Sequence, residues 1–148
     1  MRDLTRAGSA QAVARAIAEG ENDLVVPASW VPEEIPEGVR VIVACGFPTG
    51  RHHPLIKASE ARLAVQSGAT GALIVVDASA GEYAWTIDLV TAREAVSEQV
   101  RLAVGIDAQA PNRAEIERVA RRAGAEAVLL VERDAAGGCG YGVRSSET

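Results

Sequence analysis

The chain has 148 residues, of which 48% are apolar but only 3% aromatic, and its formal net charge is −5. That length suits one domain burying about two-thirds of its unfolded surface around an aliphatic core. The acidic balance and the shortage of stacking rings disfavour a nucleic-acid partner, although a local arginine patch could survive them, and no apolar run reaches the length of a membrane span. The N-terminal "MRDLTRAGSAQ" lacks the apolar stretch of a signal peptide. Two cysteines, Cys45 and Cys139, do not make a disulfide framework. The expectation is a cytoplasmic protein.

The first element is a helix over Ser9 to Glu19, with Ser9 as a cap, Val13, Ala16 and Ile17 as its apolar stripe, and Gly20 as its stop. A short strand, "DLVVPA", follows from Asp23 to Ala28. "VRVIVACGF" (Val39 to Phe47) is a continuous β-branched run, the pattern of a strand buried on both faces in a parallel sheet. "HPLIKASEARLAVQSG" reads as a helix with Pro54 in its first turn and Gly68 at its end. Then come a strand (Gly71 to Asp77), a helix (Ala84 to Val96), a strand (Val100 to Asp107), a helix (Asn112 to Gly124) and a last strand (Ala125 to Glu132). Asn112 followed by Glu115 has the spacing of a capping box.

Alternating helices and strands predict an α/β domain over residues 1–134 with a parallel sheet of about five strands. The spacing fits a doubly wound sheet or part of a barrel. Residues 135–148 are rich in glycine and read as a loop-like tail.

"GFPTGRHHPLIKASEARLAVQSGA", together with "DLVVPASWV", "GATGALIVVD", "VRLAVGID" and "GAEAVLLVE" in that order, resembles the deoxyribose-phosphate aldolase family. The resemblance runs from about Gly20 to Glu132 and marks the chain as a truncated, divergent member. It implies an incomplete TIM-barrel-like (β/α) sheet of about five strands with its helices outside. In that family a barrel lysine forms a Schiff base with an aldehyde, an aspartate and a further lysine handle protons, and late loops bind phosphate. The corresponding positions here are Leu73 for the strand-four aspartate, Ala103 for the strand-five lysine and Leu129 for the Schiff-base lysine. The chain ends before a seventh or eighth strand of the family pattern, and the first strand, ahead of Ser9, is not evident.

Lys57 is the single lysine. Arginine stays protonated and cannot form a Schiff base, so Lys57 is the one side-chain amine to weigh. Its expected role is a solvated helix residue paired with Glu60. No residue is assigned a catalytic role outright. Those that could carry one are Lys57 and two strand-end carboxylates, Asp77 and Asp107, which serve equally well as turn formers. The loop Gly50, Arg51, His52, with His53 beside it, could hold an anion, and it contains no metal-ligand motif. Asp88 reads as the solvated side of a helix, and Trp30 and Trp85 as anchors of loops or an interface. No cofactor is expected.

Three readings of function follow. The first is an aldolase-like protein that binds or supports rather than catalyses. The second is a divergent lyase for a small phosphorylated aldehyde or sugar, using Asp77, Asp107 and the Arg51–His53 loop. The third is a subunit that completes a partner chain's site. Leu73, Ala103 and Leu129, with Val75, Gly105, Ala127 and Val131, should form an apolar inner face that five strands cannot enclose. A homo-oligomer, formed as a dimer through that face, is the favoured solution. The competing one folds the tail back, with Tyr141 and Val143 as a plug.

Overall fold

The computed structural model describes residues 1–134 and 140–146. Among them are seven strands: β1 (Arg2–Asp3), β2 (Asp23–Pro27), β3 (Arg40–Cys45), β4 (Gly71–Val75), β5 (Arg101–Asp107), β6 (Ala127–Arg133) and β7 (Tyr141–Ser145). The four helices are α1 (Gln11–Ala18), α2 (Pro54–Gln66), α3 (Glu82–Ala95) and α4 (Arg113–Arg122). No helix among the described residues is long and apolar enough to cross a membrane.

The strands lie side by side in chain order, β1 to β7. The first six run parallel, and β7 turns back antiparallel on β6, pairing Val131 with Val143 and Arg133 with Tyr141. The expectation of a five-stranded barrel fragment is therefore wrong: the sheet has seven strands and curls into a nearly closed barrel surrounded by its helices. Two segments account for the difference. Residues 2–3, too short to carry a periodic signal, pair with Leu24 and Val25. Residues 141–145, read from composition as loop, form β7. The rest of the expected tail, 135–139 with Cys139 and 147–148, lies outside the described residues.

Two cores result. The outer core, between sheet and helices, packs Leu24, Val41, Val43, Ile74, Leu102, Val104 and Leu130 against helix residues such as Val13, Leu89 and Ile116. The inner core packs Val25, Ala44, Leu73, Val75, Ala103, Leu129, Val131 and Val143, with Ala127 and Tyr141 at its margin. The inward face is thus the one strand alternation predicts. A Cβ at Gly105 would stand 3.0 Å from Val75 Cγ2 and 3.2 Å from Leu73 Cδ1, so those side chains fill the space that β5 leaves.

The chain itself covers this face through β7, the route considered second to a dimer, because Val143 enters the inner core. The N-terminal segment holds β7 in place. Val143 N–H donates to Asp3 Oδ2 at 2.8 Å, and Arg6 pairs with Asp134 at 2.9 Å.

Two cap expectations are also corrected. Ala10, not Ser9, occupies the N-cap of α1, with no side-chain cap bond. Asn112 is the N-cap of α4 but makes no side-chain cap bond; its Nδ2 donates instead to Ala78 O at 3.0 Å, tying together the loops after β4 and β5.

Candidate functional site

A cleft of about 810 Å3 opens at the C-terminal ends of β3 to β6, the end where barrel enzymes carry their sites. Its floor includes Val75 and Val131 from the inner core. Its mouth is polar, with Arg51, Asp77, Asp107, Asn112, Arg133 and Tyr141 among the lining residues. Strand periodicity explains the change. Asp77, Asp107 and Arg133 each stand two residues beyond the inner-face positions Val75, Gly105 and Val131, so they are the last inward positions before the chain leaves the sheet.

The loop after β3 is built around two glycines with positive φ, Gly46 at 68° and Gly50 at 72°. Gly50 N–H donates to Gly46 O at 2.8 Å, and Arg51 N–H donates to Thr49 Oγ1 at 3.1 Å. A Cβ on Gly50 would lie 2.6 Å from Asp77 N, so the loop rests directly on the backbone at the end of β4. That close approach sets Arg51 Nε 3.3 Å from Asp77 Oδ2. His53 serves as the N-cap of α2, accepting Leu55 N–H on Nδ1 at 3.1 Å, and His52 is exposed and outside the cleft lining. Of the loop residues singled out, only Arg51 brings a charge to the cleft.

Asp77 Oδ1 also accepts the backbone N–H of Ser79 at 3.0 Å and its hydroxyl at 2.7 Å. Partial burial pushes the Asp77 pKa up, but the Ser79 hydrogen bonds and the Arg51 guanidinium outweigh it and hold it below the ordinary value. Asp107 Oδ1 accepts Gln109 N–H at 2.9 Å, again as a turn former. Arg133 lies over the Tyr141 ring, 5.8 Å from its centroid. Neither Asp107 nor Arg133 makes an ion pair among the described residues.

Lys57 is not solvated, and Glu60 is not its partner. It is 1% exposed, and its Nζ donates to Asp88 Oδ2 at 2.6 Å. Asp88, expected on the wet side of its helix, is likewise buried. Glu60 Oε1 instead accepts Gly46 N–H at 2.9 Å. The Lys57 stem packs so tightly under the loop that a Cβ on Gly46 would stand 2.9 Å from Lys57 Cε. Burial pushes the Asp88 pKa up against the opposing pull of Lys57, and the net shift is upward. The pair thus clamps α2 to α3 beneath the loop that carries Arg51, and Lys57 does not line the cleft. The missed signal was small-residue periodicity: Lys57, Ala58, Ala61 and Ala64 share the buried face of α2. Trp85 is a loop anchor, 2% exposed, with its Nε1 donating to Asp77 O at 2.7 Å. Trp30 packs partly buried against the outer core.

Cys45 is buried, and burial pushes its thiol pKa far up, with Glu60 adding to the shift. It behaves as a small hydrophobe. No cluster of three or more metal-ligating side chains exists among the described residues.

Chain-order parallel strands, surrounding helices and a polar cleft at the strand C-termini define a protein of the β/α-barrel class. A deoxyribose-phosphate aldolase from Nocardia farcinica is 43% identical over 123 residues, which cover 78% of this chain and 55% of that protein. The chain belongs to the deoxyribose-phosphate aldolase family and spans about half the length of that curated relative. Among solved structures, the aldolase QR15 superposes with a TM-score of 0.71 at 22% identity, covering 81% of this chain and 60% of that one. The tetrameric deoxyribose phosphate aldolase from Aeropyrum pernix gives 0.67 at 24% identity, covering 80% and 54%. No family model matches the chain.

Proposed function

We propose that this chain is a ligand-binding member of the family, whose cleft takes a small phosphorylated sugar or aldehyde and performs no Schiff-base chemistry on it. The observation that carries this reading is the state of its single lysine: Lys57 is buried, paired at 2.6 Å with Asp88, and outside the cleft lining. The inner positions Leu73, Ala103 and Leu129 add no ionisable group. In this reading Arg51 and Arg133 attract the phosphate, Asp107 accepts ligand hydroxyls, and Asp77 holds Arg51 in place. Charge-assisted hydrogen bonds make arginine suited to that task.

Incubation with deoxyribose 5-phosphate and borohydride, followed by intact-mass measurement, tests the chemistry. No reduced adduct is expected, and an adduct mapped to Lys57 overturns the reading. Calorimetric titration with the same sugar phosphate tests the binding. Arg51→Ala and Arg133→Ala should each weaken it about tenfold or more, the loss of one charge-assisted contact.

The lyase reading draws on the fact that Asp77 and Asp107 line one cleft. Turnover abolished by Asp107→Asn would favour it. Besides the small ligand, a second copy of the chain is the partner we infer.

A further inference from the structure

The barrel has a second opening. At its other end, where β2, β3, β5 and β6 begin and β7 finishes, lies a cleft of about 240 Å3. Strand alternation builds it. Asp23, Gly71, Arg101 and Ser145 each stand two residues outside the inner-core positions Val25, Leu73, Ala103 and Val143, so they form the last inward layer at this end. A closed barrel fills its interior with layers of larger branched side chains. Here Gly71 has no side chain, and Ala103 and Ala127 supply single methyl groups. The floor is left open and apolar, made by Ile42, Ala103, Ala127 and Leu129.

The rim is charged, and its charges do not cancel. Asp23 pairs with Arg40 at 3.3 Å and lies 4.0 Å from the Met1 ammonium. Glu126 pairs with Arg93 at 3.1 Å, and Arg121 with Glu117 at 3.2 Å. Arg40, Arg93 and Glu117 all stand outside the cleft lining, so each of these rim charges is met from outside. Arg101 is the exception: it lines the cleft and makes no ion pair among the described residues. One uncompensated guanidinium thus stands over an aliphatic floor, at the end of the barrel opposite Arg51 and Asp77.

We propose that this cleft is a second ligand site, which takes a short aliphatic monocarboxylate with its chain on the alanine and leucine floor and its carboxylate on Arg101. The planar guanidinium matches a carboxylate with two parallel hydrogen bonds. A single uncompensated cation flanked by Asp23 and Glu126 suits a monoanion and opposes a phosphate dianion. The apolar floor requires a hydrocarbon body, which inorganic anions lack. The volume equals that of roughly eight water molecules, and hexanoate has as many heavy atoms. The site is separate from the sugar-phosphate cleft, and the inference does not depend on that reading.

Titration of the isotope-labelled full chain with hexanoate, followed by amide correlation NMR, tests the proposal. Saturable shifts are expected at Arg101, Ala103, Ala127 and Ser145, with a Kd in about the millimolar range or below. Arg101→Gln should weaken binding about tenfold or more, the loss of one charge-assisted contact, whereas Arg51→Ala should leave it unchanged. Hexanol and inorganic phosphate should each bind at least about tenfold more weakly than hexanoate. Ala127→Leu fills the floor from a half-buried position and should abolish the shifts without lowering the melting temperature. No saturable shifts at these residues up to about 20 mM hexanoate, binding indifferent to Arg101→Gln, or phosphate bound as tightly as hexanoate would each overturn the proposal.

Discussion

Lys57 Nζ and Asp88 Oδ2 meet 2.6 Å apart with both side chains buried between α2 and α3. Removing one member of such a pair strands the other charge. Lys57→Met should therefore cost about 3–5 kcal/mol, and the double variant Lys57→Met/Asp88→Leu should recover much of it, because apolar replacements satisfy the same volume. Urea denaturation of the single and double variants measures this. Equal losses in both would show that the pair's packing, not its charge, matters.

The same pair predicts a pH effect. Asp88 has its folded pKa raised, first by burial, against the opposing effect of Lys57. A raised folded pKa means the native state holds the proton more tightly. Its stabilising contribution is complete below the unfolded value of about 3.9 and is lost as pH rises through the folded value. Without Lys57 the shift grows, so the penalty of Lys57→Met should shrink as pH falls from about 7 toward about 4. Unfolding curves across that range, compared with the wild type, decide it.

Asp77 should behave in the opposite way. Its folded pKa is lowered because Ser79 and Arg51 outweigh the opposing effect of burial. Its contribution is present above about pH 4 and disappears as pH falls through the folded value. Asp77→Asn should lose on the order of 1 kcal/mol at neutral pH, and its deficit should narrow on acidification, whereas that of Gly50→Ala should not.

Gly50→Ala tests the loop. Gly50 sits at φ 72° with room for no Cβ before Asp77 N. Left-handed strain alone costs about 1–2 kcal/mol, and the backbone collision adds to it, giving a total of about 2–4 kcal/mol. A loss below about 1 kcal/mol in urea melts would mean that the loop does not rest on β4 as described.

The closing strand is open to test from both sides. Val143→Ala removes buried methyl groups and should cost about 1–2.5 kcal/mol. Asp3→Ala removes the acceptor for Val143 N–H and should cost about 1–3 kcal/mol. Because the residues act on one strand, their combined loss should be less than the sum. Strict additivity in a denaturation cycle would contradict the latch.

How much could be read in advance depended on the range of each signal. The order α1, β2, β3, α2, β4, α3, β5, α4, β6 is local information: runs such as "VRVIVACGF" and "GALIVVD", bounded by glycines, state their own conformation. The inward set Leu73, Ala103 and Leu129 followed from alternation and the family pattern, and it packs as one inner core. The placing of Asp77 and Asp107 at one rim followed in the same way. What the tertiary structure alone decided was long-range. Residues 2–3 and 141–145 are strands because the barrel offers them edges and because Asp3 reaches Val143 across 140 positions of chain, and no local pattern encodes that pairing. The burial of Lys57 was hidden for a related reason. The rule that large apolar residues face inward fails on α2, where close packing against α3 admits alanines and a paired lysine stem and turns Leu55, Ile56 and Leu63 to the outside. The sequence by itself determined an aliphatic chain of alternating helices and strands with one lysine; only the packing of α2 against α3 determined that this lysine is a clamp.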